Sequence, residues 1–474
     1  MMSDSKTTVD EPTGLKKSLR LIYVYAIAAG AIFTFIGYWD TIFYEYCGAG
    51  TFLGFILMTL LILPIAMVYC ELAPLFPKAG GELIYNTVGI NKHVGFFSSW
   101  LIMAAWIAVP PSAVMAIVQW MFHVLHIDIS FMLIEGVALA ALIGYCFLSL
   151  QNVEIAGKIQ LYMLMFAIAG CIVATVAFMF SGVWSLSNFE NFFYSQVESQ
   201  FGIPSWIIGM ALLITPFFGF ETVPQMVEEG DFPIKDSNKA ILGSIVSCGI
   251  VYALFFFGLG GMPVQELVEE GGAATGGFLA ITMMEQLGGG WNVFAVIFGI
   301  AAILCAIGTC LLGFWLSTVR LMYAMGENNF LPKVFTRLNS HQQPVLPNLL
   351  LLLISMVFLF LQNATTFMND FFNLMSFGCA CAYALTMISA MRIHKNYPEW
   401  VSPYKLRGGN VTRVIALVIA LVIAFFCTLG QSAGSWKSFA IYLGVGVLLW
   451  LWMVLFNWKK KKVIIQTVTG PKEF

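Results

Sequence analysis

Long apolar runs follow one another along almost the whole chain, and they restrict its possible folds more than any other feature of the sequence. Of the 474 residues, 59% are apolar and only 10% are charged. A soluble domain usually carries about 25% charged residues, so the composition excludes a soluble enzyme, a disordered chain and a secreted disulfide scaffold. The runs are also too long and too uniformly apolar for the alternating strands of an outer-membrane barrel.

The apolar runs predict an all-α membrane protein with twelve transmembrane helices, because a helix needs about 20 apolar residues to cross a bilayer. The predicted spans are 19–46, 48–74, 94–125, 131–150, 155–181, 203–229, 240–261, 291–326, 345–361, 371–394, 411–430 and 436–457. An even number of spans places both chain ends on one side of the membrane. The expected partners are the lipid bilayer and a small-molecule substrate, with no nucleic acid; the oligomeric state stays open.

The positions of lysine and arginine predict the side of the membrane on which both chain ends lie, because cytoplasmic loops carry the excess of basic residues. If the N-terminus is inside, every lysine and arginine except Lys437 falls in an inner segment or at the inner end of a helix. The outer connections at 182–202 and 262–290 contain acidic residues and no basic ones. We therefore expect a multi-pass protein of the cytoplasmic membrane, with a tail at 1–18 and a basic tail at 458–474, both in the cytoplasm.

Predicted spans one and six each contain residues that interrupt a helix. In span six, Pro216 lacks an amide donor and Gly219 permits irregular backbone angles, and span one contains Gly30 and Gly37. Within hydrocarbon, broken backbone is tolerated only where it lines a cavity, and corresponding interruptions in two halves of a chain indicate a transporter site. Free N–H groups at a broken helix suit a carboxylate, and free carbonyls suit an ammonium or Na⁺, so the two breaks favour a zwitterion.

Four passages resemble motifs of the amino acid–polyamine–organocation (APC) permease superfamily. They are Glu71–Tyr85 with Pro77 and Gly80-Gly81, Phe217–Glu221 followed by Glu228-Glu229 and Pro233, Arg320–Pro332, and Pro403–Gly409. The resemblance implies a leucine-transporter-like fold with two inverted repeats of five helices, at 19–181 and 203–394, and two peripheral helices at 411–457. It also implies secondary active transport by alternating access around a central site.

The breaks and the resemblance together predict the substrate site. The predicted substrate-binding residues are Phe33, Thr34, Phe35, Ile36, Gly37, Asp40, Thr215, Phe217, Phe218, Gly219, Phe314 and Trp315. The resemblance implies a Gly-Ser-Gly nest for a substrate carboxylate where this chain has Thr34, Phe35 and Ile36. This departure weakens the case for an α-amino acid that is gripped in the family's usual way.

Asp40 lies one turn beyond the break in span one, and it suggests the main alternative for the substrate class. If its carboxylate faces the site, it favours a carboxylate-free amine or organic cation, such as a polyamine or an ethanolamine-like compound, over an amino acid. An acid that faces the outer vestibule or the membrane interface is an equally good interpretation. A transport-like nutrient sensor or a channel is a further alternative of another class.

Glu221 and Thr309 are the predicted coupling or support residues. Glu221 lies just past the break in span six, where it could bind a proton or support the broken backbone, and support is the favoured role. Thr309 could offer an oxygen to Na⁺, although hydroxyls within spans more often bond to their own helix. The sequence contains no phosphate loop, zinc spacing or nucleophile elbow, so we expect neither enzymatic activity nor a cofactor. Coupling to H⁺ or Na⁺ stays open.

Overall fold

The computed structural model describes residues 14–34, 36–125, 130–190, 192–269, 278–364, 367–429 and 431–474. Within these residues the chain is mostly helical, as the apolar runs predict. In chain order the α-helices are α1 (Leu21–Ile32), α2 (Asp40–Cys47), α3 (Thr51–Leu72), α4 (Gly81–Gly89), α5 (Lys92–Val124), α6 (Phe131–Ser149), α7 (Val153–Met179), α8 (Ser205–Leu212), α9 (Thr222–Met226), α10 (Ser237–Gly260), α11 (Gln265–Glu269), α12 (Leu279–Leu287), α13 (Gly290–Gly299), α14 (Gly308–Glu327), α15 (Val345–Ala364), α16 (Phe367–Asn396), α17 (Asn410–Phe426) and α18 (Ala433–Trp452). A π-helical segment, Ile300–Ile307, joins α13 to α14.

The described residues contain nine segments that are long and apolar enough to cross a membrane. Three further apolar helices are shorter, at Leu21–Ile32, Val345–Leu361 and Asn410–Phe426. Each predicted span overlaps one of these segments, while the number that crosses the membrane stays a prediction. Large apolar side chains are exposed along the outside of the molecule, for example Phe147 and Leu448, as expected for a surface that contacts lipid.

Both predicted interruptions are present. The chain leaves helical geometry between α1 and α2, where Gly37 has a φ of 91°, and again between α8 and α9. In the second break Pro216 lies in a 3₁₀ turn, and the backbone of Phe218 is extended. Because proline lacks the amide that an α-helix needs, the helix cannot continue regularly through this position.

The first broken span lies at the centre of the molecule. α1 packs against α7, α9, α10 and α14, and most of its side chains are buried. Since α9 belongs to predicted span six and α14 to predicted span eight, the two interrupted spans and span eight meet in the core.

Several short elements lie outside the predicted spans. α12 occupies part of the predicted outer connection, and α4 directly follows Gly80. The segment predicted as a basic tail contains an antiparallel hairpin of β1 (Ile464–Thr467) and β2 (Gly470–Glu473). The ammonium of Lys472 lies 4.4 Å from the ring centre of Tyr397 and 4.5 Å from that of Trp400, and these cation–π contacts hold the hairpin against the loop after α16.

Candidate functional site

The two breaks are in direct contact, and Gly219 is the residue that allows it. Its φ is 155°, a value that residues with side chains rarely adopt. A Cβ on Gly219 would lie 2.9 Å from the Cβ of Ala31 and 3.0 Å from the amide nitrogen of Ile32. The backbone of the second break therefore touches the end of α1, and a larger residue would push the two apart.

The polar groups at the end of α1 are satisfied by side chains of α10. The hydroxyl of Tyr252 donates a hydrogen bond to the carbonyl of Ile32 at 2.8 Å and accepts the amide hydrogen of Thr34 at 3.2 Å. The thiol of Cys248 donates to the carbonyl of Ala29 at 3.4 Å. Broken backbone in an apolar interior needs such partners, so α10 holds the first break in place.

On its other side α1 meets α7 and α14 through Gly30. A Cβ there would lie 2.7 Å from Nε2 of Gln160 and 2.8 Å from Cβ of Thr309. The Gln160 amide donates to the carbonyl of Thr309 at 2.6 Å. The Thr309 hydroxyl donates to the carbonyl of Ala306 at 2.7 Å and lies 3.5 Å from the carbonyl oxygen of Gly30. Thr309 therefore bonds to its own helix, and its oxygen also reaches the first broken span.

Glu221 joins the second break to two other helices. Its Oε2 accepts the amide hydrogen of Gly219 at 2.7 Å and the hydroxyl hydrogen of Tyr383, from α16, at 2.8 Å. Its Oε1 accepts the indole hydrogen of Trp106, from α5, at 3.3 Å. These three donors fit a carboxylate that supports the broken backbone, and a role in coupling stays a prediction.

Aromatic rings surround the two breaks. The rings of Phe33 and Phe217 have centres 5.5 Å and 6.2 Å from that of Tyr252, and Phe218 lies 5.6 Å from Tyr383. The predicted residues of the breaks that are buried are Phe33, Thr34, Ile36, Gly37, Phe217, Phe218 and Gly219. These seven residues are therefore enclosed mainly by apolar side chains.

The remaining predicted residues of the breaks are in different surroundings. A Cβ on Gly37 would lie 2.8 Å from the Cβ of Ala302, so this glycine packs the first break against the π-helical segment. The half-buried Thr215 shares a 3.3 Å hydrogen bond with the hydroxyl of Ser376 in α16. Phe35, the other predicted substrate contact in the first break, lies outside the described residues.

Asp40 bonds to backbone amides. Its two carboxylate oxygens accept the amide hydrogens of Leu279 and Ala280, both at 3.1 Å, and one of them also accepts that of Thr41 at 3.0 Å. Leu279 begins α12, whose preceding residue provides no side-chain cap. Asp40 therefore caps the N-terminus of α12, where the helix dipole favours a carboxylate. The contact ties α2 to the connection that follows α10.

In α14, Gly313 also lies close to the first broken span. A Cβ on Gly313 would lie 3.4 Å from the Cβ of Ala31. The predicted wall residue Trp315 is directed to α15, where its indole donates to Asn348 at 2.8 Å. Phe314 is buried beside it. These contacts join Trp315 to span nine, and its role as a wall of the site stays a prediction.

Three of the four motifs that carry the resemblance meet at the predicted inner end of span six. Lys78 pairs with Glu228 at 2.5 Å, and Arg320 pairs with Glu229 through two hydrogen bonds of 2.7 and 3.0 Å. The amide of Leu19 donates to the carbonyl of Glu229 at 2.9 Å. Because buried charges need partners, these residues form one network that joins the chain before α1, the loop after α3, span six and α14.

Sequence reasoning missed the side chains that hold the breaks. These are Trp106, Gln160, Cys248, Tyr252 and Tyr383. Each places a polar group within an apolar run, and buried polar groups are normally hydrogen-bonded. That signal is visible in the sequence, but it does not reveal which distant helix each side chain faces.

Comparison with known proteins identifies the family. The model of the family described as "Amino acid permease" matches residues 19–452. The chain is 23% identical over 448 residues to the glutamate/serine transporter AimA of Bacillus subtilis (strain 168), covering 87% of this chain and 80% of that protein. It is 23% identical over 456 residues to the aspartate-proton symporter of the same organism, covering 93% of this chain and 84% of that protein. It is 24% identical over 351 residues to that organism's gamma-aminobutyric acid permease, covering 70% of each chain.

These matches confirm the resemblance to the APC superfamily that the sequence motifs indicated. The relatives named here are transporters, symporters or permeases. With its long apolar helices, the chain is a multi-pass membrane protein and belongs to the amino acid permease family.

Proposed function

We propose that the protein carries a small amino acid or amino-acid derivative across the cytoplasmic membrane by secondary active transport, with the substrate held at the two breaks. In this proposal twelve spans cross the membrane and both termini are cytoplasmic. Residues 19–181 and 203–394 form two inverted repeats, and 411–457 adds two helices outside them. The spans that carry the breaks rock against the remaining helices, so that the breaks open outward and inward in turn.

The observation that carries this proposal is the contact between the two breaks, where Gly219 touches Ala31 and Ile32. A kink with a purely structural role would need only one interrupted helix, whereas this chain has two. Two interrupted helices that meet in a buried centre bring half-helix ends of both polarities to one place. Such ends bind the carboxylate and the ammonium of one small molecule without a charged side chain.

The side chains around the breaks favour a small neutral amino acid over a cation. Phe33, Phe217 and Phe218 provide apolar walls, and Thr34 provides a hydroxyl. Asp40, the acid that would favour a cation, is bound to the backbone of α12 and acts in this proposal as a cap. The relatives named as glutamate/serine transporter and gamma-aminobutyric acid permease support an amino acid as the substrate class.

A thermal-shift screen of the detergent-purified protein tests this proposal. The compounds are α-amino acids, ω-amino acids, and amines that lack a carboxylate. A ligand at about 100 times its Kd stabilises a protein by about 2.7 kcal/mol, which is readily detected. We expect shifts from amino acids and none from the amines. Shifts from amines alone would overturn the proposal in favour of an organic cation.

A further inference from the structure

Glu82, the acid that follows Gly80 and Gly81, is buried without a full set of partners. Its side chain is 0% exposed. Its Oε2 accepts one long hydrogen bond, of 3.4 Å, from Nε2 of Gln225 in α9. Its Oε1 has no hydrogen-bond partner among the residues that the structure describes, and the hydroxyl of the neighbouring Tyr69 has none either.

Three basic residues at this end of the molecule are engaged with other acids. They form close ion pairs, Lys78 with Glu228, Arg320 with Glu229, and Arg413 with Glu71. No cation in these three pairs is left for Glu82. A buried carboxylate without a positive partner is costly, and such a group takes up a proton instead.

The groups that face Glu82 are neutral or acidic. Tyr69 comes from α3, Tyr85 from α4 itself, Glu221 from the second break and Cys379 from α16. On α5, the hydroxyl of Ser98 lies 3.4 Å from the carbonyl oxygen of Glu82.

The remaining neighbours are on α9 and α14. The amide of Gln225, on α9, donates to Glu82, and the side chain of Arg320, on α14, is paired with Glu229. Nothing in this set neutralises a negative charge on Glu82.

This environment sets the acidity of Glu82, which lies in α4 between two membrane-spanning segments. Burial is the largest influence and raises the pKa of Glu82 from 4.5 to about 8. Its own backbone amide and the nearby hydroxyl of Tyr69 lower this pKa to a smaller degree, and repulsion from Glu221, the smallest of these influences, raises it. The carboxyl group therefore keeps its proton at pH values at which an exposed glutamate is charged.

Glu82 is also placed where a change of charge would reach the breaks. Gln225, its hydrogen-bond partner, lies one helical turn beyond Glu221 and accepts the amide hydrogen of Gly80 at 3.1 Å. A Cβ on Gly81 would lie 2.6 Å from Nε2 of Gln225, so the loop and the end of span six are closely packed. A charge on Glu82 would repel Glu221 and strain this packing.

We propose that Glu82 binds the coupling proton of this transporter, so that a proton and an amino acid cross the membrane together. The proposal rests on the proposed transport function. In this proposal the proton comes from the outer side by way of the second break, whose Glu221 faces Glu82, and it is held as an O–H bond on the Glu82 carboxyl while the substrate occupies the breaks. It returns to water on the inner side when the end of span six separates from the loop at 78–81. No other bond is formed or broken.

Infrared titration of the purified protein tests proton binding without any transport. In the wild type we expect a protonated-carboxyl band that disappears as the pH rises from about 7 to about 9, and we expect Glu82→Gln to lack it. Glu399→Gln, which removes an exposed acid, should retain it. An unchanged titration in Glu82→Gln would overturn the proposal. If this variant does not fold, Glu82→Asp is titrated instead, and an unchanged midpoint would overturn it.

Proteoliposome uptake of a mixture of labelled L-amino acids tests the coupling. In the wild type an acidic exterior should drive accumulation inside. Glu82→Gln, which resembles the protonated state, should retain exchange of internal for external amino acid and lose accumulation driven by the pH gradient. Accumulation equal to that of the wild type would contradict the coupling role. A wild type that moves no amino acid would overturn the proposed transport function, while the infrared titration would still decide whether Glu82 binds a proton.

Discussion

The hydroxyl oxygen of Tyr252 lies 2.8 Å from the carbonyl oxygen of Ile32, the last residue of α1, and donates a hydrogen bond to it. The same oxygen accepts the amide hydrogen of Thr34 at 3.2 Å. One side chain of α10 thus satisfies polar groups on both sides of the point where the helix ends. The side chain of Tyr252 therefore stabilises the interrupted geometry of the first break.

Removing this hydroxyl should weaken the break. In Tyr252→Phe the Ile32 carbonyl loses its donor in a buried site, so we expect a loss of about 1–3 kcal/mol in the free energy of unfolding. The thermal midpoint of the purified protein and the rate of amino acid exchange should both fall. Tyr162→Phe is the matched control, because Tyr162 is 73% exposed on α7. Equal behaviour of the two variants would contradict the role given to Tyr252.

Separating the two breaks should abolish substrate binding. Gly219→Ala places a methyl group 2.9 Å from the Cβ of Ala31 at a φ of 155°. We expect the substrate-induced thermal shift to disappear, together with a loss of stability of about 1–3 kcal/mol from backbone strain. Gly136→Ala is the control, since a Cβ on that glycine of α6 meets nothing within 4 Å. A substrate shift that survives Gly219→Ala would place the site elsewhere.

The variant Asp40→Asn tests whether Asp40 has a structural role as a helix cap or binds the substrate. The asparagine would present an NH₂ group to one of the amides of Leu279 and Ala280, so the cap of α12 should weaken by about 1 kcal/mol. Binding of putrescine and of serine, measured by thermal shift, should change to the same degree. A loss confined to putrescine would show that the carboxylate binds a cation. Glu45→Gln is the control for the loss of one negative charge from α2, because it changes a half-buried acid on the same helix.

The buried Glu82 should make stability depend on pH. Its pKa is raised in the folded protein to about 8, so the folded state holds a proton that the unfolded state releases above about pH 4.5. The contribution of this group to stability is complete below the unfolded pKa and is lost as the pH rises through the folded pKa. We therefore expect the thermal midpoint of the wild type to fall between pH 5 and 8 more steeply than that of Glu82→Gln. Parallel curves for the two proteins would refute this prediction.

The sequence located the breaks because their causes are local. Pro216 removes its own amide, and Gly37 and Gly219 adopt backbone angles that other residues disfavour. These effects need no knowledge of the rest of the chain. The resemblance supplied Glu221 in the same way, because the motif lies within a few residues of the break.

The partners of the breaks could not be predicted, because they come from distant parts of the chain. Tyr252 lies 218 residues from Thr34, and Leu279 lies 239 residues from Asp40. An apolar run with one tyrosine predicts a buried hydroxyl but gives no direction for it. For the same reason the sequence could place Asp40 one turn beyond the break, while the helix that it caps became visible only in the fold.

Counterflow of amino acids in proteoliposomes tests the central claim most directly. Vesicles that contain the purified protein are loaded with an unlabelled L-amino acid, and entry of the same labelled compound is followed for each amino acid in turn. The account predicts that at least one small amino acid accumulates transiently above its external concentration. It also predicts that Gly219→Ala abolishes this accumulation and Gly136→Ala preserves it. Folded wild-type protein that exchanges only carboxylate-free amines, or accumulation that persists in Gly219→Ala, would contradict an amino acid site at the two breaks.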